Sequence, residues 1–130
     1  MNDSDATTRG VRVHVRSQYV PQESDPDEGR WFFVYTVRVT NTGDEVVQLV
    51  SRRWVISDGN GRIEEVEGPG VVGAQPTLNP GEGFEYTSFC PLPTPVGSMK
   101  GTYQMVSHST GDRFDAVVAP FTLSEPYAFN

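Results

Sequence analysis

Strict alternation of apolar and polar residues is the feature that most limits how this chain can fold. Residues 11–16 read Val-Arg-Val-His-Val-Arg, the pattern of a β-strand with one buried and one exposed face. Residues 31–40 are rich in aromatic and β-branched side chains, which favours a central strand. No segment repeats its apolar residues with the 3.6-residue period of a helix. The spacing of turn signals predicts an all-β chain of about seven antiparallel strands, arranged as an immunoglobulin-like or fibronectin type III-like sandwich.

Glycine and proline mark where the predicted strands end. Residues 58–61, Asp-Gly-Asn-Gly, are typical of a tight hairpin turn, and residues 80–81, Pro-Gly, fit the centre of a type II turn. Three prolines between residues 91 and 95 predict the end of the strand that precedes them. Within residues 46–57 the apolar side chains change phase, which predicts a β-bulge near Ser51.

Length, charge and cysteine content exclude several classes of protein. A chain of 130 residues buries one core, and we assign one domain to residues 10–130, preceded by a flexible polar tail of residues 1–9. The net charge of −7 argues against nucleic acid or an anionic membrane as a partner. The single cysteine forms no internal disulfide and, without a signal peptide, indicates the cytoplasm. No apolar run approaches the roughly 20 residues that cross a bilayer.

The candidate site is a glycine-rich loop that follows the predicted hairpin. Gly68, Gly70 and Gly73 form the pattern Gly-x-Gly-x-x-Gly, which in dinucleotide enzymes lets backbone amides approach a pyrophosphate at the start of a helix. No such helix is predicted here, because residues 75–76, Gln-Pro, disfavour one. The alternative is a structural loop in which the glycines supply positive φ angles and close packing.

Two arginines on the strand before this loop extend the candidate site. Arg52 and Arg53 are adjacent, so in a regular strand one of them points away from the core. A guanidinium beside exposed amides can hold a phosphate through two parallel hydrogen bonds. The alternative is that the arginines form ion pairs across the hairpin with Glu64 or Glu65. The sequence leaves open which of the two side chains faces the core.

No set of residues predicts catalysis or metal binding. The two histidines, His14 and His108, have no second His or Cys at ligand spacing. The acidic segment of residues 23–28 lacks the ligand order of a calcium loop, which favours a solvated loop. Cys90, at the end of a strand, is expected to be buried as a small apolar residue. We therefore predict a protein that is not an enzyme and that uses no metal and no cofactor.

Four segments of the chain carry a family resemblance. In one-letter code they read RWxI at 53–56, EGxGVVGxQP at 67–76, LxPGE at 78–82 and FEYTSxCPLxTPxGxMxGxYxM at 84–105. The chain from about residue 11 to its C-terminus resembles the ApaG family. The resemblance implies a fibronectin type III-like sandwich in a bacterial cytoplasmic protein associated with cobalt and magnesium tolerance. It also implies kinship with protein-interaction domains of eukaryotic F-box and DNA-polymerase-interacting proteins. Without a membrane span, a part in cation efflux would be indirect.

Two functions are open at this point. The first is a non-catalytic interaction module for an unidentified protein partner, with the Trp54 hairpin, the glycine loop and an edge strand as contact surfaces. The alternative is a small-ligand binder that takes pyrophosphate or a nucleotide through residues 68–73. A homodimer is a further mode of association, through an edge strand at residues 11–20. The aromatic tail at residues 126–130 either packs on a partner or packs on its own sandwich.

Overall fold

The computed structural model describes residues 2–126, which form two antiparallel β-sheets packed face to face. The strands are β1 (Asp3–Thr8), β2 (Val11–Tyr19), β3 (Trp31–Asn41), β4 (Val47–Asp58), β5 (Ile63–Pro69), β6 (Thr77–Leu78), β7 (Gly83–Leu92), β8 (Val96–Ser107) and β9 (Arg113–Ser124). The first sheet has the order β1-β2-β3-β7, and the second has the order β5-β4-β8-β9 with β6 paired to β4. The predicted all-β sandwich is confirmed, with nine strands in this described range instead of about seven.

The core lies between the sheets because each strand alternates its side chains. Val11, Val13 and Val15 of β2 have no exposed surface, whereas Arg12 is exposed and His14 is half-buried. Trp54 of β4 sits near the centre and is 3% exposed. Its ring centroid lies 5.5 Å from that of Tyr35 in the first sheet. Trp54 therefore packs between the two sheets.

Local turn chemistry is also as predicted. The register of β4 against β8 shifts between Leu49 and Ser51, which confirms a bulge at this point. The hairpin at residues 58–61 closes with the amide of Gly61 donating to the Asp58 carbonyl, 3.2 Å away, and Gly61 has a φ of 83°. Gly81, at φ 89°, occupies the left-handed position of the predicted Pro-Gly turn.

The predicted flexible tail is wrong for most of its length. Residues of β1 pair with β2 from Asp3 opposite Arg16 to Thr8 opposite Val11, so the segment is a strand of the first sheet. The same pairing places β2 inside the sheet, and the predicted edge strand at residues 11–20 is therefore not an edge. The contacts expected of the aromatic tail fall on residues 127–130, which lie outside the described residues.

Proline did not end the seventh strand where the sequence suggested. Pro91 lies inside β7, opposite Phe32 of β3. β7 is an edge strand, so the backbone N–H and C=O groups of every second residue point away from β3, to the free side of the sheet. A proline at such an odd-numbered position lacks an N–H that would have had no partner in the sheet, so no hydrogen bond is lost. The carbonyl of Glu82, an even-numbered neighbour, accepts from the amide of Asn41 and so points the opposite way, toward β3.

The two lateral edges of the sandwich are built differently. On one side β1 and β9 lie against each other, and we call this the sealed edge. On the other side a cleft separates β5 from β7, lined by residues of both strands such as Val66 and Phe89. We call this side the open edge, and every residue of the predicted site lies on it or next to it.

Candidate functional site

The bulge in β4 decides where the predicted arginines point. Beyond Ser51 the even-numbered side chains of β4 face the core, so Trp54 is buried and Arg52 shares its direction. Arg53 points to the outer face of the second sheet and its side chain is 47% exposed. The adjacent arginines therefore lie on opposite faces of one strand and cannot serve one ligand in the same way.

Arg53 takes part in a cross-strand charge cluster. Its Nη2 donates to the carboxylate of Glu65, and its Nε lies 3.3 Å from Oε1 of Glu67. Both acidic residues are on β5, in the register that antiparallel pairing gives them. The expected ion pair of an arginine with Glu65 is confirmed. Since all three side chains are exposed, the cluster contributes little to stability.

Arg52 instead turns its guanidinium toward the glycine loop. Its Nη1 donates to the carbonyl oxygens of Pro69, at 3.1 Å, and Gly70, at 2.9 Å. A Cβ added to Gly68 would lie 3.0 Å from Nη1, so the absence of a side chain at residue 68 leaves the space that the guanidinium fills. Gly68, the first glycine of the pattern, is therefore favoured by packing, because a side chain there would crowd the guanidinium of Arg52.

The other two glycines shape the turn that follows. Gly70 has a φ of 60°, and a Cβ there would overlap the carbonyl oxygen of Ala74. Val71 and Ala74 exchange backbone hydrogen bonds of 2.8 and 2.9 Å across a two-residue turn. Gly73 occupies that turn with a φ of 82°. Positive φ angles at both central positions are the requirement of a type I′ turn.

Val72 is the unexpected member of this turn. It is a β-branched residue with a φ of 43°, a conformation in which such side chains are strained. It is also 61% exposed at the tip of the loop. The strained backbone of Val72 and the exposure of its apolar side chain both lower the stability of the folded protein, and both occur at one residue beside the open edge.

The backbone amides of the loop are mostly committed within the protein. The amide of Gly70 donates to the carbonyl of Val50 at 2.8 Å, and those of Val71 and Ala74 bond each other's carbonyls. Within residues 2–126, only the amides of Val72 and Gly73 in this turn have no acceptor. The loop therefore directs carbonyl oxygens, not amides, toward Arg52, which differs from the arrangement that the glycine pattern has in dinucleotide enzymes.

A shallow groove on the outer face of the second sheet borders the glycine loop. It has a volume of about 620 Å³. Arg52, Arg53 and Glu67 line it together with Gly68, and Asp115 of β9 adds a second carboxylate. The groove is large enough for a nucleotide, but its positive and negative charges are balanced.

A second space lies between the sheets, at the open edge. Two adjoining cavities of about 410 and 160 Å³ share Tyr35, Arg52, Trp54 and Ser88 in their linings. The hydroxyls of Tyr86 and Tyr103 bond each other deeper in the core, and burial raises the pKa of both. We call the combined space the inter-sheet cleft.

The remaining candidates for chemistry are separate from one another. Cys90 is buried, as expected, and burial with a smaller effect of the Glu64 charge raises the pKa of its thiol to about 11. The Nε2 of His108 lies 2.9 Å from the side-chain oxygen of Gln48. The described residues contain no cluster of three or more His, Cys, Asp or Glu side chains placed to hold a metal ion. Between residues 2 and 126 there is no helix with the length and apolar character to cross a membrane.

Comparison with known proteins settles the family. A model of the ApaG domain matches residues 21–107. The chain belongs to the ApaG domain family. It is 58% identical over 127 residues to protein ApaG of Anaeromyxobacter sp. (strain K), covering 98% of this chain and 99% of that relative. It is 55% identical over 122 residues to protein ApaG of Methylobacterium nodulans, covering 94% and 93%.

A solved structure agrees with the fold described here. The crystal structure of an ApaA protein from Bordetella pertussis superimposes with a TM-score of 0.87 at 52% sequence identity, covering 90% of this chain and 94% of that chain. The family resemblance seen in the four sequence segments is therefore confirmed, and so is the sandwich that it implies.

Sequence reasoning missed two features of the ApaG domain in this chain. The direction of Arg52 was readable, because Trp54 and Ile56 are the apolar positions of the same strand and Arg52 shares their even phase. The free edge of β7 had no such signal, since strand order in a sheet is set by long-range pairing. Tyr35 of β3 and Ser88 of β7 line the same cavity as Arg52 because this strand order places β3 and β7 opposite β4 across the core.

Proposed function

We propose that this ApaG-domain chain is a non-catalytic interaction module that binds an extended segment of a partner protein along β7. The observation that carries the proposal is the free edge of this ten-residue strand, beside an aromatic pair of which the β7 member is exposed. Phe89 of β7 is 63% exposed, and its ring stacks on that of Phe32 with centroids 5.5 Å apart. A free strand edge offers backbone donors and acceptors to an incoming strand, and side chains next to it supply specificity.

The chemistry of the edge supports strand addition. Pro91 and the hydrogen bond of Glu82 indicate that odd-numbered residues of β7 direct their backbone to the free side. Arg30 lies over the Phe32 ring, 5.6 Å from its centroid, and adds a positive charge to the aromatic surface. A partner segment with apolar and acidic side chains fits this surface.

Absence of catalysis is part of the proposal. With its pKa raised to about 11, the thiol of Cys90 stays protonated at neutral pH and is a poor nucleophile. We place the interaction in the cytoplasm, since a single buried cysteine suits a reducing compartment. Any link to cobalt or magnesium tolerance would then run through the bound partner and not through transport by this chain.

Site-specific photocrosslinking tests the proposal. A benzophenone side chain at residue 89 is expected to capture a defined protein in cells, whereas the same group at Val117, exposed on the opposite sheet, captures none. Thr87→Pro removes an amide that faces the free edge and should abolish capture, while Thr87→Val, which keeps that amide, should retain it. Equal capture at both positions, or capture that survives Thr87→Pro in a folded protein, contradicts strand addition along β7.

A second candidate function is the binding of pyrophosphate or a nucleotide beside residues 68–73. The observation in its favour is the groove of about 620 Å³ that places Arg53 next to Gly68, with two unbonded amides at the tip of the loop. A backbone NMR titration with pyrophosphate and ATP, with and without magnesium, tests it. Saturable shifts limited to residues 68–73 and lost in Arg53→Ala support this function, and unchanged spectra at millimolar ligand contradict it.

A further inference from the structure

The inter-sheet cleft contains a positive charge that no acidic side chain of the described residues neutralises. Arg52 is half-buried, and no carboxylate in residues 2–126 lies within ion-pair distance of it. Its two hydrogen bonds to the protein both use Nη1, which leaves Nη2 and Nε without an acceptor in the same residues. A partly buried guanidinium with free donors is suited to a planar anion, because two of its N–H groups can bind two oxygens side by side.

A second unsatisfied donor lies beside it. Trp54 is 3% exposed, and its Nε1 is buried without a hydrogen-bond partner. Buried indole N–H groups normally find an acceptor, so this one is an exception that calls for an explanation. The same side chain lines both cavities of the cleft.

Gly101 packs against the side of the indole ring that lies across from this donor. Gly101 of β8 pairs with Trp54, and a Cβ added to it would lie 3.1 Å from Cε3 of the indole. The Cε3 edge of the ring therefore packs against β8. Nε1 lies across the indole from Cε3, and the ring lines the cleft that opens beside Val66 of β5.

The walls of the larger cavity combine apolar and polar surface. Ile56, Val66 and Met99 line the larger cavity, and Phe89 and Pro91 form its border on β7. Glu64 of β5 also lines the larger cavity, where it pairs with Ile56 of β4. It lies four residues before Gly68, against which the guanidinium of Arg52 packs. The Glu64 carboxylate repels a dianion such as phosphate more strongly than a monoanion, and phosphate has no apolar part to place against the apolar side chains. A monoanion with an apolar body pairs with Arg52 and contacts those side chains.

We propose that the inter-sheet cleft is a binding site for a small organic monocarboxylate, whose oxygens accept from Arg52 and from the indole N–H of Trp54 while its apolar part lies against Ile56, Val66 and Met99. The ligand would lie between the sheets, whereas the proposed protein partner pairs with the free edge of β7; Phe89 borders both places. The cleft shares Arg52 with the glycine-loop groove, but Arg53 lines the groove and not the cleft.

The indole N–H signal of Trp54 gives a direct readout, since the chain has only two tryptophans and Trp31→Phe assigns the pair. The ¹⁵N-labelled full-length protein is titrated with butyrate, hexanoate and phenylacetate, each up to about 10 mM. We expect a saturable downfield shift of the Trp54 indole proton, while the Trp31 indole, which donates to Glu125 at 3.3 Å, stays in place. Phenylacetamide, which is neutral but equal in shape, should give no saturable shift.

Matched variants separate the cleft from the other two surfaces. Arg52→Gln should weaken carboxylate binding by about tenfold or more, and Arg53→Gln, on the outer face, by less than about twofold. Trp54→Phe keeps the ring but removes the donor, and should weaken binding several-fold. Thermal unfolding of each variant shows whether it is folded.

Four results overturn the assignment. One is the absence of a saturable Trp54 indole shift with all three carboxylates, and another is an equal response to phenylacetamide. The third is an equal loss of affinity in Arg52→Gln and Arg53→Gln. A short peptide with a free C-terminal carboxylate, tested beside its amidated form, identifies the source of the carboxylate. Binding of that peptide but of none of the free acids also overturns the small-ligand site.

Discussion

The sealed and open edges of this sandwich are made from similar strands but differ in what closes them. At the sealed edge the amide of Val117 on β9 donates to the hydroxyl of Thr8 on β1 at 3.1 Å, and Ser17 bonds the Thr122 carbonyl at 2.6 Å. Arg9 adds an ion pair with Asp112 at 3.1 Å. At the open edge no such bridge between β5 and β7 is found in residues 2–126. Contacts at the sealed edge hold the two sheets together, and the strands of the open edge are therefore free to bind a partner or a ligand.

The largest expected difference in stability is between substitutions of two phenylalanines, one on a strand of the sealed edge and one on a strand of the open edge. Phe121 of β9 is 1% exposed and Phe89 of β7 is 63% exposed. Phe121→Ala should lower the free energy of unfolding by about 3–5 kcal/mol, because it leaves a cavity in the core. Phe89→Ala should lower it by less than about 1 kcal/mol. Urea unfolding measures both, and similar losses would mean that β7 is as tightly built in as β9.

The glycine loop offers a second matched pair. Gly70→Ala should lower the free energy of unfolding by about 2–3 kcal/mol, since its φ is positive and its Cβ would overlap Ala74. Gly73→Ala should cost only about 1 kcal/mol, because open space surrounds a Cβ there and the positive φ is its sole penalty. The same unfolding experiment applies. A larger loss for Gly73→Ala would contradict the structural role that we assign to Gly70.

Alkaline pH tests the burial of Cys90 behind the open edge. Its pKa is raised from 9.0 to about 11, so the neutral thiol is favoured in the folded protein. The stabilisation is fully present below pH 9 and is lost as pH rises from about 9 to 11, to the extent of roughly 2–3 kcal/mol. The difference in unfolding free energy between the natural protein and Cys90→Ala should shrink accordingly over this range. A difference that stays constant would mean that the cleft admits water to the thiol.

Removal of β1 sharpens the comparison from the other side. A chain without residues 2–8 should lose about 1–2 kcal/mol of stability, since six half-exposed cross-strand pairs disappear. It should also associate at high concentration, because β2 becomes a free edge. Equilibrium unfolding and sedimentation velocity measure the two effects. A truncated chain that is as stable and as monomeric as the full chain would restore the flexible tail predicted from the sequence.

Local features of this fold were predictable and long-range ones were not. The hairpin at residues 58–61 and the bulge at Ser51 follow from φ preferences and side-chain phase over a few residues. The polar segment of residues 3–8 has no strand pattern, and it becomes a strand because β2 pairs with it. Pro91 misled for a similar reason, since its tolerance depends on the position of β7 at an edge.

The candidate site shows the same division. Glycine spacing drew attention to residues 68–73, but a spacing does not reveal whether amides or carbonyls face the neighbouring guanidinium. Arg52 and Trp54 share the core phase of β4, so an arginine among core positions was visible in the sequence. That Trp54 keeps an unpartnered N–H is a property of the packed core, which the sequence does not reveal.

Amide hydrogen exchange at two edge positions tests the difference between the edges most directly. Val117 and Thr87 both lie on edge strands and both are exposed, but only the Val117 amide is bonded across the edge, to Thr8. After correction for intrinsic rates, the Val117 amide should exchange at least about tenfold more slowly than that of Thr87. Such a result supports one sealed and one open edge. Equal exchange at the two amides would contradict it.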